Sequence, residues 1–260
     1  MLSAIIQARM GSSRLPGKVL SPVNGRPLLH YLIERLDYVP EIEQVIVATT
    51  TNCKDDTLED FCEKRGLLCY RGSESDVLSR IYKAASLFKA DPVIRLTGDC
   101  PLLDTDTLSQ QIGFFLKYKP DYCYLGLSFA EGICSDIFTF TALKESYACA
   151  TAPSDREHVT PYFHKNKDRY HTIELNNNTN DCRYRFVVDQ PEDLEVVTQV
   201  IKTLYRENSP PFNAKQIKHF LDMNPEIRNV NSSIIRNKHY DVFKVGSKSK
   251  KKALYKVTKS

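Results

Sequence analysis

The segment from Ala8 to Val19, ARMGSSRLPGKV, sets three cations, Arg9, Arg14 and Lys18, around Gly11, Ser12 and Gly17 with no acid among them. A glycine-containing loop with clustered positive charge suits a polyphosphate, because backbone amides and cationic side chains can converge on its oxygens. The pattern differs from the ATPase phosphate loop, which places four residues between its glycines and follows its lysine with Ser or Thr, whose hydroxyl holds magnesium. Here five residues separate Gly11 from Gly17, and Val19 follows Lys18. A valine offers a metal ion nothing, so any metal must be held from elsewhere.

Two further segments supply carboxylates. VIRLTGDCP and RFVVDQPED are each an apolar run that ends at an aspartate with a proline two residues on: Asp99 then Pro101, and Asp189 then Pro191. Proline has no ladder donor and a fixed φ, so it stops a strand and leaves the carboxylate at the strand's carboxyl end. In an open parallel sheet that edge is where ligands bind. The loop after the first strand opens on the same edge, so Arg9, Arg14 and Lys18 are expected to face Asp99 and Asp189 across one crevice. Magnesium typically binds through one or two carboxylates plus phosphate oxygens, and this pair fits that need. The plainer explanations are a helix N-cap at Asp189 for PEDLEVV and a turn at Asp99 beside Gly98.

The elements that must position these residues are legible as alternation. SAII, VIVAT, GLLCY and VIRLT are short β-rich runs. Between them, Leu28, Leu29, Leu32, Ile33 and Leu36 recur at helical spacing, as do Val77, Leu78, Ile81, Ala84 and Phe88, and then Leu108, Ile112, Phe115 and Leu116. This rhythm predicts βαβ units: an α/β, mostly parallel sheet with helices on both faces. From about Ser128 it breaks. DIFTFTALKES reads as a strand entering a helix, SDREHVTPYFHKN as a helix perturbed by Pro161, and YHTIEL and RYRFVVD as two strands flanking the polar turn NNNTNDC. Residues 128 to 187 are therefore expected to form an inserted β-hairpin and helix subdomain within a single domain of residues 1 to 241. A helix bearing Leu194, Val197, Ile201 and Leu204 follows, and then NAKQIKHFLDMN.

Composition narrows the functional classes. The chain has 260 residues, 42% of them hydrophobic, and no apolar stretch long enough to span a membrane. MLSAII runs directly into the polar QAR, so a cytoplasmic protein is expected. The eight cysteines are scattered without a C-x-x-C pair, which argues against a zinc site or a disulfide framework. The net charge of +4 is misleading. Seven lysines follow Asp241 with no acid, and removing them from the 36 basic residues leaves 29 against 32 acidic ones. A mildly acidic body gives no nucleic-acid footprint. Residues 242 to 260 read as a lysine-rich, flexible tail.

Together, IIQARMGSSRLPGKVL, YRGSESDVLSR, RLTGDCPLLD, REHVTPYF and VVDQPEDLE resemble the spore-coat polysaccharide biosynthesis branch of the sugar cytidylyltransferases, relatives of the enzymes that activate 3-deoxy-octulosonate and acylneuraminate. The resemblance covers about residues 3 to 205. It implies a Rossmann-like nucleotide-diphospho-sugar transferase fold and transfer of CMP from CTP to a sugar acid or sugar phosphate with release of pyrophosphate. Carried onto this chain, it assigns the nucleotide to Ala8, Arg9, Gly11, Ser12, Arg14, Lys18, Arg71, Thr97 and Gly98, and Mg2+ to Asp99 and Asp189. Lys18, Arg14, Asp99 and Asp189 become the catalytic set. It places the sugar near Asp136, Arg156, Glu157 and His158, although family members often carry a glutamate where Asp136 stands, and Ser154 with Glu157 has the form of a capping box. It also implies a homodimer that pairs through the segment after Ser128. Three alternatives stay open: another nucleotide such as GTP with a sugar 1-phosphate, a glycosyltransferase on the same fold, and a non-catalytic nucleotide-binding subunit. The DTD of Asp104 to Asp106 is a weak candidate for the glycosyltransferase metal motif because it begins a helix.

Overall fold

The computed structural model describes residues 1–133, 135–236 and the backbone of 254–256. The lysine-rich segment lies outside the described residues except for those last three.

The first half winds as the alternation predicts: β1 (Ser3–Gln7), a two-residue ribbon of β2 (Pro22–Val23) and β3 (Arg26–Pro27), α1 (Leu28–Leu36), β4 (Gln44–Thr50), α2 (Asp56–Lys64), β5 (Leu68–Gly72), α3 (Val77–Leu87) and β6 (Val93–Thr97). After α4 (Thr105–Tyr118) come β7 (Tyr122–Leu125), β8 (Asp136–Phe138), α5 (Phe140–Cys149), α6 (Pro153–His158), α7 (Pro161–Lys165), β9 (Thr172–Asn176), α8 (Pro191–Leu204), α9 (Ala214–Met223), α10 (Pro225–Val230) and β10 (Leu254–Lys256). Apart from the β2–β3 ribbon, the described strands form one sheet in the order β10-β9-β7-β8-β6-β1-β4-β5. Among the described strands of this sheet, β8 alone runs antiparallel to its neighbours, β6 and β7.

Alternation along the strands builds two cores. Ala4 and Ile6 of β1 face a core shared with Leu29 and Leu32 of α1, Leu58 of α2, Ile112 of α4 and Val197 of α8. Ile5 points the other way, into a core with Leu78 and Ile81 of α3, Leu143 of α5 and Phe163 of α7. Both faces of the sheet are thus covered, which is why its strands read as nearly continuous apolar runs.

The second half departs from expectation. YHTIEL and RYRFVVD do not form a hairpin. The first supplies β9, which pairs parallel with β7 inside the main sheet. The second is an extended crossing segment that makes one isolated parallel bridge, Arg185 to Glu131. Its backbone bonds go to two other segments: Phe186 donates to the Glu131 carbonyl at 2.7 Å and Val188 to the Asp99 carbonyl at 2.8 Å. Tyr184, Phe186 and Val188 are buried in the first core, so the apolar run reflects burial by crossing and not by strand pairing. The predicted helix across SDREHVTPYFHKN is split into α6 and α7 at Val159, whose φ of 69° lies in the left-handed region that disfavours a β-branched residue. The capping box expected at Ser154 is absent, because the N-cap is Ala152 and Pro153 opens the helix. Asp104 does cap α4, accepting from the Thr107 amide at 3.1 Å.

Candidate active site

The strand order reverses between β1 and β6, since β4 and β5 lie to one side of β1 and everything after β6 lies to the other. At such a switch point the loops leaving adjacent strands part and open a crevice. Gly98, just past β6, donates to the Gln7 carbonyl at 2.9 Å. A Cβ on Gly98 would stand 2.9 Å from the Ala8 Cβ, so the two strand ends approach more closely than a larger residue allows. The loop after β1 is held from below: the Met10 amide donates to Asp55 at 2.7 Å, and the Gly17 amide donates to the Met10 carbonyl at 2.9 Å. Ser12 shapes the loop by accepting from the Leu15 amide at 3.2 Å. Gly17, with φ 73°, then turns the chain into a short 3-10 helix beginning at Lys18.

This turn sends Lys18 inward. Its Nζ donates to Asp99 Oδ2 and to Asp189 Oδ1, both at 2.7 Å, and Arg14 adds an ion pair to Asp189 at 3.3 Å. Burial on its own would lower the Lys18 pKa, but the two adjacent carboxylates outweigh it and the net direction is upward. Burial likewise acts to raise the Asp99 pKa, and the Lys18 charge with hydrogen bonds from Lys18 and Thr97 carries it below the ordinary carboxylate value. Lys18 and Asp99 are therefore both charged at neutral pH. Asp189 is not the cap of α8; that position is Gln190, whose amide donates to Asp193 at 3.0 Å.

Around this triad lies a cleft of about 590 Å³. Of the residues expected from sequence, Ala8, Arg9, Ser12, Arg14, Lys18, Thr97, Gly98, Asp99, Asp136, Glu157, His158 and Asp189 line it. Three do not. Gly11 lies in the loop beside Glu74. Arg71 is turned to α2, with ion pairs to Asp56 at 2.7 Å and Glu59 at 2.6 Å and a bond to the Thr50 carbonyl. Arg156 braces α6 against the start of α3 through Asp76 and lies over the Tyr147 ring. Asp136 is fixed at the cleft floor by Arg95 at 2.8 Å and by the Tyr122 hydroxyl at 2.6 Å.

Several cleft residues gave no signal in sequence. Arg95 is an internal residue of β6, with nothing in its local sequence to mark it. Arg80 falls among the polar positions between the apolar residues of α3, yet it is 2% exposed. Glu131 and Gly132 sit in an irregular loop. Arg185 reaches Asp189 at 3.5 Å and is itself held by Glu131 at 2.5 Å and Asp193 at 2.8 Å. Asp193, which is fully buried, also accepts from the Asp189 amide and from Asn231 at 3.0 Å each. A sequence clue did exist for Asp193: an acid two residues after the proline of a helix start is placed to cap it.

What the arrangement can do follows from charge. Asp99 and Asp189 each put one oxygen within 2.7 Å of a single cationic atom. Their spacing and hard oxygen donors fit a divalent cation shared between them. Among the described residues no group of three or more His, Cys, Asp or Glu forms a ready metal centre, so such an ion would take its remaining ligands from substrate and water. Arg9 and Arg14, both partly exposed, are left at the rim for an anionic ligand.

A mostly parallel sheet with one antiparallel strand and helices on both faces, and a cationic loop facing two carboxylates at its switch point, defines a Rossmann-like nucleotidyltransferase. The sequence profile of the cytidylyltransferases matches residues 3–224, and the chain belongs to that family. It is 35% identical over 231 residues to the spore coat polysaccharide biosynthesis protein SpsF of Bacillus subtilis, covering 85% of this chain and 94% of that one. An uncharacterized protein of Methanocaldococcus jannaschii is 36% identical over 238 residues, with 91% and 96% covered. Among solved structures, a cytidylyltransferase from Leptospira borgpetersenii superposes with a TM-score of 0.83 at 32% identity, covering 91% of this chain and 99% of that one.

Proposed function

We propose that this enzyme transfers CMP from CTP to an acidic or phosphorylated sugar and releases pyrophosphate, with Mg2+ at the two aspartates, in the building of a surface polysaccharide or glycoconjugate. The observation that carries this reading is the Lys18 ammonium held at 2.7 Å from both Asp99 and Asp189, at the end of a loop rich in cations. The relative of known role in Bacillus subtilis supports the polysaccharide context.

The chain's own residues divide the work. Arg9, Arg14 and Lys18 bind the triphosphate and neutralise charge as it moves onto the departing pyrophosphate, a reaction in which positioning and electrostatics supply most of the rate. Asp99 and Asp189 would hold the metal, which supplies Lewis-acid stabilisation of the α-phosphate oxygens. Arg185, Glu131 and Asp193 keep Asp189 aimed at the cleft. Glu157 and His158, on the wall contributed by α6, face the acceptor.

The test is pyrophosphate release with each of the four nucleoside triphosphates, with and without Mg2+, across a panel of sugar acids and sugar phosphates. Release with CTP and one acceptor class, dependent on the metal, is expected. Release with GTP alone would move the assignment to another nucleotidyltransferase, and formation of a nucleoside diphosphate would make it a glycosyltransferase. Pairing of two chains through the segment after Ser128, which the family resemblance implies, is checked by light scattering at micromolar concentration.

A further inference from the structure

Resting on that reading, we propose that the deep end of the cleft is an oxyanion subsite in which Arg80 receives the carboxylate or phosphate of the acceptor sugar.

Arg80 projects from the second turn of α3 and crosses Gly72, where a Cβ would lie 3.2 Å from its Cγ. It is 2% exposed. One terminal nitrogen donates to the Ser73 carbonyl, Nε has no partner among the described residues, and no described carboxylate forms an ion pair with it. The nearby acids are engaged elsewhere: Asp55 by the Met10 and Thr50 amides, Glu74 by Arg9, Asp76 by Arg156 and Asp136 by Arg95. Burial, followed by the charge of Arg9, pushes the Arg80 pKa down to about 10. A buried cation without a counter-ion is costly to keep.

Arg35 is also buried without an ion pair, but it has a structural explanation that Arg80 lacks. It donates to two carbonyls, Leu103 and Phe212, and stacks on the Phe212 ring away from the cleft. Arg80 makes one such bond and lines the cleft together with Arg95, His158 and Thr160. The cations assigned to the triphosphate lie on the loop after β1. Arg80 comes from α3, on the side of the sheet that carries Ile5 and Phe138, and it faces the α6–α7 wall. Arg80 is therefore assigned an anion other than the triphosphate, and CTP titration separates the two.

The experiment uses the full chain and its Arg80→Gln and Arg80→Lys variants, with CTP bound and no divalent cation present so that nothing turns over. Inorganic phosphate and acetate are titrated separately while thermal unfolding is followed. Saturable stabilisation of the wild type is expected from one of them, and which one responds distinguishes a phosphate from a carboxylate acceptor. Affinity should fall at least tenfold in Arg80→Gln and less in Arg80→Lys, with CTP affinity within twofold of wild type in both. Equal responses in wild type and Arg80→Gln, or no response in either, would overturn the proposal. So would a tenfold loss of CTP affinity in Arg80→Gln, which would put the guanidinium on the nucleotide. A chain that binds no CTP refutes the proposed function instead, and the same anion titrations without nucleotide then decide Arg80 by the difference between the variants.

Discussion

Lys18 and Asp189, 171 positions apart in the chain, meet with 2.7 Å between Nζ and Oδ1. The same ammonium bonds Asp99 at 2.7 Å, so one cation joins the loop after β1, the end of β6 and the segment entering α8. The pair is well shielded, with Lys18 and Asp189 side chains 10% and 8% exposed. It is a structural clamp, and the proposed function makes it a substrate-binding element as well; the two roles separate by experiment.

The catalytic role is tested by Lys18→Ala. A donor that acts on charge developing in the transition state contributes about 3 to 4 kcal/mol, so turnover should fall by two to three orders of magnitude with circular dichroism unchanged. A loss well under tenfold in a folded variant would remove Lys18 from the chemistry.

The clamp role predicts a pH signature for Lys18→Met. In the wild type the Lys18 pKa is raised, so its contribution is complete below the unfolded value near 10.5 and is lost as pH climbs through the folded value. The Asp99 pKa is lowered, so its contribution is present above the unfolded value near 3.8 and lost as pH falls through the folded one. Between those limits the clamp adds no pH dependence. Removing the ammonium leaves two carboxylates facing each other, at a cost of about 3 kcal/mol at neutral pH. Burial then raises the Asp99 pKa, so the deficit should shrink on acidification towards pH 4. Urea unfolding of both proteins from pH 4 to 8 measures this; a gap independent of pH would contradict it.

The same variant reports on the metal without any turnover. Where the ammonium is missing, a divalent cation has an open position between Asp99 and Asp189, so millimolar Mg2+ should raise the melting temperature of Lys18→Met more than that of the wild type. Adding Asp99→Asn should abolish the difference. Equal shifts in all three proteins would mean that the ion binds elsewhere.

Much of this site was legible in the sequence, for physical reasons. Asp99 and Asp189 each follow an apolar run and precede a proline, and both arrive at the crevice, although only Asp99 does so just beyond the end of a true strand. The segment carrying Asp189 mimicked a strand because Tyr184, Phe186 and Val188 are buried by elements on either side. Alternation reports burial, and it does not distinguish a ladder partner from a crossing chain. Arg71 was drawn to the nucleotide by its motif, yet local acids on α2 hold it. Arg95 and Arg185 were hidden because Asp136 and Glu131, which hold them, lie 41 and 54 positions away, and Arg80 because a helical arginine with no carboxylate partner among the described residues is read as solvent-facing.

Asp193 illustrates how much of the site's order rests behind its surface. Its carboxylate accepts from Arg185 at 2.8 Å, from the amides of Asp189 and Gln190 at 3.0 Å each, and from Asn231 at 3.0 Å. Asp193→Ala leaves the Arg185 charge and two amides short of partners, and breaking a buried pair typically costs about 3 to 5 kcal/mol. Chemical denaturation should show a loss of that order. Asp193→Asn, which keeps an acceptor but not the charge, should lose less. If both variants match the wild type, Asp189 is being positioned by something else.

Gly98 offers a test of the junction on which the cleft depends. An alanine there would bring its Cβ to 2.9 Å from the Ala8 Cβ and 3.3 Å from the Gln7 carbonyl oxygen, forcing β1 and β6 apart where the loop carrying Arg9 begins. Overpacking of this kind costs about 1 to 3 kcal/mol, and displacement of the loop should weaken CTP binding as well. The tightest of these contacts is between two side-chain atoms, so its share can be isolated by a double-mutant cycle. Ala8→Gly removes the opposing Cβ, and in that background Gly98→Ala should cost less by about 0.5 kcal/mol or more, with CTP affinity partly restored. Denaturation and nucleotide titration of the four proteins give both numbers. An identical cost in the two backgrounds would show that the strain arises at the Gln7 carbonyl and not between the two side chains.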